Sequence, residues 1–225
     1  MPDEAVRLQL LSLPFFSALS PAHQTEVSRW SLIHTFPEQA VVMREGKPQE
    51  YLFAVIEGRV EFSVLDQGTR YITQVEESGT VFSLPAVLLQ DGPLSTVCTT
   101  TRSRIMMTPA RVIRDIVATD AQAAFAAAEC VSRYSQGLVR TLYEQRFRTA
   151  PEKLAGWVLR QADPSKPSQQ IPLAMAKQQI AGVLGMSSES LSRALALLGA
   201  HGGGIKTGTS SIPRLDDVRR MVPPP

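Results

Sequence analysis

The sequence has few cysteines and histidines and no long apolar run. Of its 225 residues, two are cysteines and three are histidines, too few for a disulfide scaffold or a four-cysteine metal or iron–sulfur site. No apolar run approaches the roughly 20 residues that a membrane helix requires. The N-terminus, Met1 to Glu4, is acidic and unlike a signal peptide. We therefore expect a cytoplasmic protein without membrane contact.

Clusters of catalytic residues are also missing. His23, His34 and His201 are scattered singly, whereas a β-barrel metalloenzyme needs histidine and carboxylate ligands clustered on its strands. The sequence has no Ser–His–Asp pattern and no Gly-rich phosphate loop. A metalloenzyme is therefore the disfavoured alternative. We predict a protein that is not an enzyme, with no catalytic residues and no metal site.

What the chain does have is the composition of a folded protein with an uneven distribution of charge. Its hydrophobic content is 44% and its charged content 20%, both typical of globular domains. Residues 1–149 carry 14 basic and 16 acidic side chains, whereas residues 150–225 carry 9 and 5. The basic C-terminal third is a weak indication of a polyanionic partner, because phosphate neutralisation requires Lys and Arg.

A region of period two extends from about residue 32 to residue 108. Val60, Phe62 and Val64 alternate with Arg59, Glu61 and Ser63, which predicts one set pointing inward and the other outward. Further strand-like runs are Tyr51–Ile56, Tyr71–Val75, Thr96–Thr101 and Ile105–Thr108. Glycines near every tenth residue separate them, which favours an antiparallel sandwich or barrel. A short helix over residues 6–19, broken at Pro14, precedes this region.

Helical patterns follow the strands. A short apolar helical face comprises Val112, Ile113, Ile116 and Val117. Asp120 is placed to cap a long helix that runs to about Arg148. Its two apolar faces, one lined with alanines over residues 123–128, suit packing on the strands and close packing against a partner helix. We therefore predict a parallel dimer. The segment Thr149–Glu152 is a capping box that starts another helix.

The segment Lys177–Leu195 has the spacing of a helix-turn-helix. Ala181 is small where two helices cross, and Gly185 can take the positive φ of the turn. The second helix, capped by Ser187, has a predicted buried side formed by Leu191, Leu195 and Leu198. Its exposed side is formed by Ser188, Glu189, Ser192 and Arg193. A Gly-rich stretch at 202–204 and a hairpin around Thr207–Ser211 follow.

The exposed side of this helix suits the major groove of double-stranded DNA. Arg can bond to guanine, Glu can accept from the cytosine amino group, and Ser can contact thymine or phosphate. The alternative is an ordinary surface Glu–Arg pair worth a few tenths of a kcal/mol. The turn spacing and basic balance favour DNA. The predicted DNA-binding residues are Lys177, Gln178, Ser187, Ser188, Glu189, Ser192 and Arg193.

Three turns of the strand region carry a family resemblance: Arg44-Glu45-Gly46, Glu57-Gly58-Arg59-Val60 and Ser78-Gly79-Thr80-Val81-Phe82. With the long helix and the helix-turn-helix in order, the chain resembles the cyclic-AMP receptor / fumarate–nitrate reduction regulator (Crp/Fnr) superfamily. The resemblance implies an α+β protein: an antiparallel β-roll of the cyclic-nucleotide-binding-like jelly-roll type over 1–118, a dimerisation helix over 119–148 and a winged helix-turn-helix over 149–225. It also implies a homodimeric transcription regulator, with RNA polymerase as a partner if it activates.

The recognition pattern Glu189-x-x-Ser192-Arg193 is similar to that of the fumarate–nitrate and nitric-oxide-responsive branches. In those branches it implies TTGAT-type half-sites arranged as an inverted repeat. Two-fold protein symmetry would then match operator symmetry. Departures occur at Ala176, where a capping Ser is common, and at Gly204 and Pro213 in the wing.

The sensing region departs from the cyclic-nucleotide binders of the family. Their Phe-Gly-Glu-Leu turn is here Phe82–Pro85, and their Arg-Ser/Thr-Ala segment is Leu94–Thr96. Their adenine-facing Thr-Ser pair is Leu138-Val139. Since an anionic phosphate would lack its guanidinium, cyclic AMP is not expected. The predicted effector pocket comprises Phe82, Ser83, Leu84, Pro85, Leu94, Ser95, Thr96, Ser135, Leu138 and Val139, for a small organic effector, haem, or no ligand.

Two other readings stay open. The first is a haem- or redox-dependent gas sensor. Ser83 and Pro85 stand where the family's haem-binding members have Cys and His ligands, and only Pro2 matches a ligand of those members. Cys98 and Cys130 are interpreted as buried, unreactive thiols. A ligand-binding regulatory module without DNA binding is the other. The basic C-terminal balance argues against it.

Overall fold

The computed structural model describes residues 13–163, 165–166, 169–172, 175–200, 204–206, 209–212 and 215–222. The chain divides into two compact units, and the boundary falls between Gly137 and Leu138. Within the described residues, no helix combines the length and the apolar content needed to cross a bilayer.

The first unit contains two antiparallel four-stranded sheets. Their strands are β1 (Leu32–Phe36), β2 (Val41–Met43), β3 (Tyr51–Glu57), β4 (Arg59–Asp66), β5 (Thr69–Glu77), β6 (Val81–Phe82), β7 (Thr96–Thr99) and β8 (Ser103–Pro109). The strand orders are β1-β8-β3-β6 and β2-β7-β4-β5. An apolar core joins the sheets, with Phe53 and Ile105 from the first packed with Val60 and Phe62 from the second. The predicted antiparallel sandwich is confirmed.

The predicted outward side of β4 is not solvated. Glu61 and Ser63 are buried because Arg70 on β5 covers both. Its guanidinium lies 2.7 Å from the Glu61 carboxylate and donates to Ser63 Oγ at 2.9 Å. The alternation predicted an outward direction for these residues but not their burial, which arises because a cross-strand arginine covers them.

Among the described residues of the first unit, four short helices accompany the sheets: α1 (Pro14–Ser17), α2 (Pro21–Trp30), α3 (Leu84–Leu89) and α4 (Ala110–Thr119). Their apolar sides, including Phe16, Val27 and Ile113, pack with Leu52 of β3 in a second core. At the expected break, Leu13 is extended and a helix begins at Pro14, since proline at the first helical position loses no needed hydrogen bond. Residues 6–12 of the predicted helix lie outside the described residues.

The long helix, α5 (Ala121–Phe147), begins at the predicted cap. The amides of Ala123 and Gln122 donate to Asp120 Oδ1 at 3.0 and 2.7 Å. These two bonds, the one from Ala123 first, hold the pKa of the Asp120 carboxyl below its usual range. The alanine-lined side of α5 packs within the first unit and not against a partner helix, because Ala123, Ala126 and Ala127 are buried in the core of that unit. By contrast, every residue from 132 to 143 is exposed.

The second unit contains α6 (Ala150–Gln161), β9 (Gln169–Pro172), α7 (Lys177–Val183), α8 (Ser188–Ala200), β10 (Gly204–Lys206), β11 (Thr209–Ile212) and α9 (Leu215–Arg220). The capping box is confirmed: the Thr149 amide donates to Glu152 at 2.7 Å, which lowers the pKa of Glu152. The strands form a sheet in the order β10-β11-β9, so the predicted hairpin is present. Residues 202–203, 207–208 and Pro213 lie outside the described residues.

Candidate DNA-binding surface and effector cavity

The turn between α7 and α8 has the geometry that its sequence predicts. Gly185 has a φ of 59°, in the left-handed region that favours glycine. A Cβ there would lie 2.9 Å from Nε2 of Gln145 on the long helix. Ser187 then caps α8, since its Oγ accepts a hydrogen bond from the Ser190 amide at 3.1 Å. The direction in which α8 leaves the turn is thus fixed by one glycine and one serine.

One side of α8 is packed into the second unit. Leu191, Ala194 and Leu198 are buried, as are Ile180 and Ala181 on α7. Leu195, predicted to be buried, is half-buried and packs against the same core. This apolar contact keeps the opposite side of α8 facing solvent.

The opposite side of α8 presents the four predicted residues together. Ser188, Glu189, Ser192 and Arg193 are all exposed. Arg193 Nη1 lies 3.3 Å from Glu189 Oε1, and both side chains are more than 70% exposed. Ser192 Oγ donates to the Ser188 carbonyl at 2.9 Å. Because such an exposed ion pair contributes little stability, the guanidinium can turn to another acceptor at low cost.

Lys177 and Gln178 lie in the first turn of α7 and are exposed. No acidic side chain among the described residues lies within ion-pair distance of Lys177. The missing serine cap at Ala176 is partly replaced: the Ala176 amide donates to Gln179 Oε1 at 3.0 Å. The start of α7 therefore offers the Lys177 ammonium and the Gln178 side-chain amide to a polyanion.

An ion pair that sequence spacing does not reveal ties α6 to the end of the long helix. Arg160 donates to both carboxylate oxygens of Glu144, at 2.7 and 3.2 Å. The two residues are 16 positions apart on different helices, so no helical periodicity could have paired them. Together with the close approach of Gln145 to Gly185, this contact positions the helix-turn-helix against α5 within the second unit.

A cavity of 350 Å³ opens in the first unit. Six predicted pocket residues line it: Phe82, Ser83, Leu84, Pro85, Leu94 and Ser95. Thr96 does not, because its hydroxyl lies on β7 and accepts from the Glu45 amide at 3.2 Å.

The long helix contributes to the cavity earlier than predicted. Cys130, Val131 and Tyr134 line the cavity, whereas Ser135, Leu138 and Val139 are exposed and do not. At about 3.6 residues per turn, the predicted leucine–valine pair lies about one turn beyond Tyr134, the last lining residue of the helix.

The turn into α3 shows how the sequence departs from a nucleotide pocket. Ser83 has a φ of 73°, the conformation that favours the glycine of the family turn. Its Oγ donates to the Tyr51 carbonyl at 2.9 Å. Leu84, at the position of the family's carboxylate, is buried in the core. Neither side chain supplies a carboxylate to the cavity.

Polar side chains on β5, just after it and on α5 contribute to the cavity lining. Gln74 and Thr80 both donate to the Glu76 carboxylate, the latter at 2.8 Å. Burial, and then the negative charge of Glu76, raise the pKa of Tyr134. Burial, reinforced by the charge of Glu129, likewise raises the pKa of Cys130 and keeps it a thiol. Sequence reasoning missed these residues, since no local pattern links β5 to the long helix.

The lining residues supply no cationic partner for haem. Met43, Cys130 and Tyr134 belong to residue types that ligate haem iron, but no histidine, lysine or arginine lines the cavity to pair with the carboxylate substituents of a porphyrin. His23 lies 3.1 Å from Asp120 and His34 packs on Phe36, while His201 lies outside the described residues. Within the part of the chain that the structure describes, no three metal-binding side chains cluster. Cys98 and Cys130 are half-buried and free.

Two protein families match the chain. Residues 33–120 match the cyclic nucleotide-binding domain, and residues 152–216 match the Crp-like helix-turn-helix domain. No curated protein matches the chain.

Several solved structures share the fold. The structure of FixK2 from Bradyrhizobium japonicum is 18% identical with a TM-score of 0.76, over 87% of this chain and 98% of that one. DNR from Pseudomonas aeruginosa is 22% identical with a TM-score of 0.54, over 98% and 100%. A CooA mutant from Carboxydothermus hydrogenoformans is 15% identical with a TM-score of 0.71, over 85% and 88%. At these identities, the likeness establishes a shared fold.

Proposed function

We propose that this chain, which has the two-domain architecture of the Crp/Fnr family of transcription regulators, acts as a homodimer that reads an inverted repeat in double-stranded DNA under the control of a signal other than cyclic AMP. The exposed side of α8 carries the proposal. Arg193 and Glu189 point to solvent from a helix whose other side packs into the core of the second unit.

In this proposal each residue of the surface has a role set by its chemistry. Arg193 bonds to guanine and Glu189 accepts from cytosine, while Ser188 and Ser192 assist at neighbouring positions. Lys177 or Gln178 holds a phosphate. Ser187 orients the helix through its cap. The half-sites expected from the resemblance are of the TTGAT type.

Dimerisation is supported by the exposed stretch of the long helix. Between residues 132 and 143, Leu138, Val139 and Leu142 are each at least half exposed, and they recur at spacings of three and four. An apolar stripe of this kind is favourable only when it is covered. A second copy packed in parallel would cover it and would present two α8 helices to one operator, about one helical turn of DNA apart.

The signal enters, in our proposal, through the cavity of the first unit. Cys130, Val131 and Tyr134 belong both to the cavity lining and to the helix that would pair with its partner. A ligand that contacts them acts directly on the dimer helix, which would reorient the two recognition helices. Cyclic AMP does not suit the cavity, since no cationic side chain lines it for the phosphate.

Fluorescence anisotropy of the purified chain on a TTGAT-N4-ATCAA duplex tests this function. A control duplex changes only the G·C pair of each half-site, and both are titrated at the same moderate salt because phosphate contacts are salt-dependent. We expect tighter binding to the first duplex by about 10-fold or more. Equal affinity for both duplexes would contradict the proposed operator, and failure to bind either one would favour a regulatory module that does not bind DNA.

A further inference from the structure

The charged side chains that line the cavity of the first unit are all acidic. Its lining includes two carboxylates, Glu76 and Asp91, and no Lys, Arg or His. Asp91 is exposed at the rim and accepts a hydrogen bond from the Gly92 amide at 2.7 Å. Glu76 is half-buried. The potential inside the cavity is therefore negative.

Glu76 differs from the other carboxylates of its sheet. Glu61 on β4 and Glu77 on β5 each lie 2.7 Å from a guanidinium, of Arg70 and Arg59 respectively. Glu76 has no ion-pair partner among the residues that the structure describes; its oxygens accept only from the neutral groups of Gln74 and Thr80. A carboxylate has about four acceptor sites, so acceptor capacity remains and its charge is uncompensated.

The rest of the cavity is apolar. Met43, Phe62, Phe82, Leu89 and Val131 form its walls, so an occupant is expected to have an apolar body. A volume of 350 Å³ lies at the small end of the range for ligand pockets. The occupant is therefore small and amphipathic, with a polar end directed at Glu76.

We propose that the effector is a small organic cation, a protonated amine on an aromatic or alkyl group, whose ammonium bonds to the Glu76 carboxylate. This inference rests on the proposed role of the cavity as the sensing site. Ammonium supplies the donors and the positive charge that Glu76 lacks. Tyr134 lines the same cavity from the long helix and is electrostatically coupled to Glu76, so neutralising Glu76 changes the environment of a residue on the dimer helix.

The test compares probes that share an apolar body and differ in charge. Phenethylamine, phenethyl alcohol and 3-phenylpropanoate are titrated into the full chain by calorimetry, and hexylamine and hexanoate repeat the comparison without a ring. We expect the amines to bind at least about 10-fold more tightly than the alcohol and the carboxylates. Glu76→Gln should weaken amine binding by about 10- to 100-fold, the loss of one charge-assisted hydrogen bond, and leave the alcohol nearly unaffected.

Glu77→Gln is the matched control. It removes the same charge from the next residue of the strand, which pairs with Arg59 and does not line the cavity, and it should leave amine affinity unchanged. Tighter binding of the carboxylates, a preference for amines that persists in Glu76→Gln, or no amine binding by the unaltered chain would overturn the proposal. The duplex titration on the same preparations keeps the outcomes separate: retained base discrimination without amine binding overturns the ligand class alone.

Discussion

The two units present their candidate binding groups in different ways. In the second unit, the groups on α8 stand exposed on one side of a helix whose other side is packed through Leu191 and Leu198. In the first unit, the polar groups lie inside a cavity assembled from a strand, a short helix and the long helix. The first arrangement depends on residues within one helix and the second on residues far apart in the chain.

This difference decides what each surface can recognise. An exposed, pre-oriented helix side suits a rigid and highly charged partner such as the major groove. A small cavity with an uncompensated carboxylate suits a small molecule that can be enclosed. The long helix contributes residues to both units. Tyr134 lines the cavity of the first unit, and Glu144 pairs with Arg160 within the second unit.

The largest expected effect concerns the stretch of the long helix outside both cores. Leu138→Glu combined with Leu142→Glu should weaken the proposed homodimer by about 100-fold or more, because each leucine buried in that interface would contribute about 1.5–3 kcal/mol and would occur twice in a symmetric pair. Sedimentation equilibrium measures the dissociation constant. Leu65→Glu, at an exposed leucine of β4, is the control. An unchanged dimer in the double variant would show that this stripe is not the interface.

The second prediction separates the cores of the two units. Leu191→Ala removes a fully buried side chain from the second unit and should destabilise it by about 2–5 kcal/mol. Ile113→Ala, equally buried in the first unit, should destabilise that unit by a similar amount. Calorimetric unfolding checks whether each variant shifts its own transition. If both variants shifted both transitions equally, the units would not be independent.

A smaller effect is expected at the turn into α3. Ser83→Ala loses the bond to the Tyr51 carbonyl and keeps an unfavourable positive φ, so the unfolding free energy should fall by about 1 kcal/mol. Ser83→Gly loses the same bond but relieves the backbone, and the two effects of about 1 kcal/mol should nearly cancel. Urea denaturation of both variants provides the comparison. The reverse order, with glycine worse than alanine, would contradict the expectation that the positive φ of this residue is unfavourable for a side chain with a Cβ.

The smallest effect concerns the helix starts and appears only in acid. Backbone amide donors lower the pKa of Asp120 in the first unit and that of Glu152 in the second below their usual ranges. A carboxyl whose folded-state pKa is lowered stabilises the protein above its ordinary pKa and loses that contribution as pH falls through the folded value. Asp120→Asn should therefore reduce the fall in the melting temperature of the first unit as the pH decreases. Glu152→Gln should do the same for the second unit.

Melting temperatures measured from about pH 5 to about pH 3 check this prediction, since the window spans the ordinary carboxyl pKa values. The unaltered protein provides the reference slope for each transition. If the melting temperature fell as steeply with pH in both variants as in the unaltered protein, other carboxyl groups would cause the loss of stability in acid.

The sequence predicted the elements governed by local chemistry. Asp120, Thr149 and Ser187 start helices where expected, and the 3.6-residue period of α8 separated its packed side from its exposed side, because these features depend on residues within a few positions. Whether the exposed residues bind DNA stays a prediction.

The errors arose where distant residues decide the outcome. Arg70 covers Glu61 and Ser63 from the next strand, so alternation along β4 alone could not show their burial. The lining of the cavity by Glu76 and Tyr134 depends on how β5 and α5 pack. The pair Arg160–Glu144 joins two helices through a contact that no spacing encodes.

The most direct test of the account asks whether Arg193 reads a base. In the duplex titration, Arg193→Ala should cost about 1–3 kcal/mol on the TTGAT duplex and abolish discrimination against the control duplex. Arg104→Ala is the control, because Arg104 pairs with Glu57 in the first unit, outside both the helix-turn-helix and the proposed dimer stretch, and should change neither quantity. Discrimination that survives in Arg193→Ala would contradict the reading of DNA through α8.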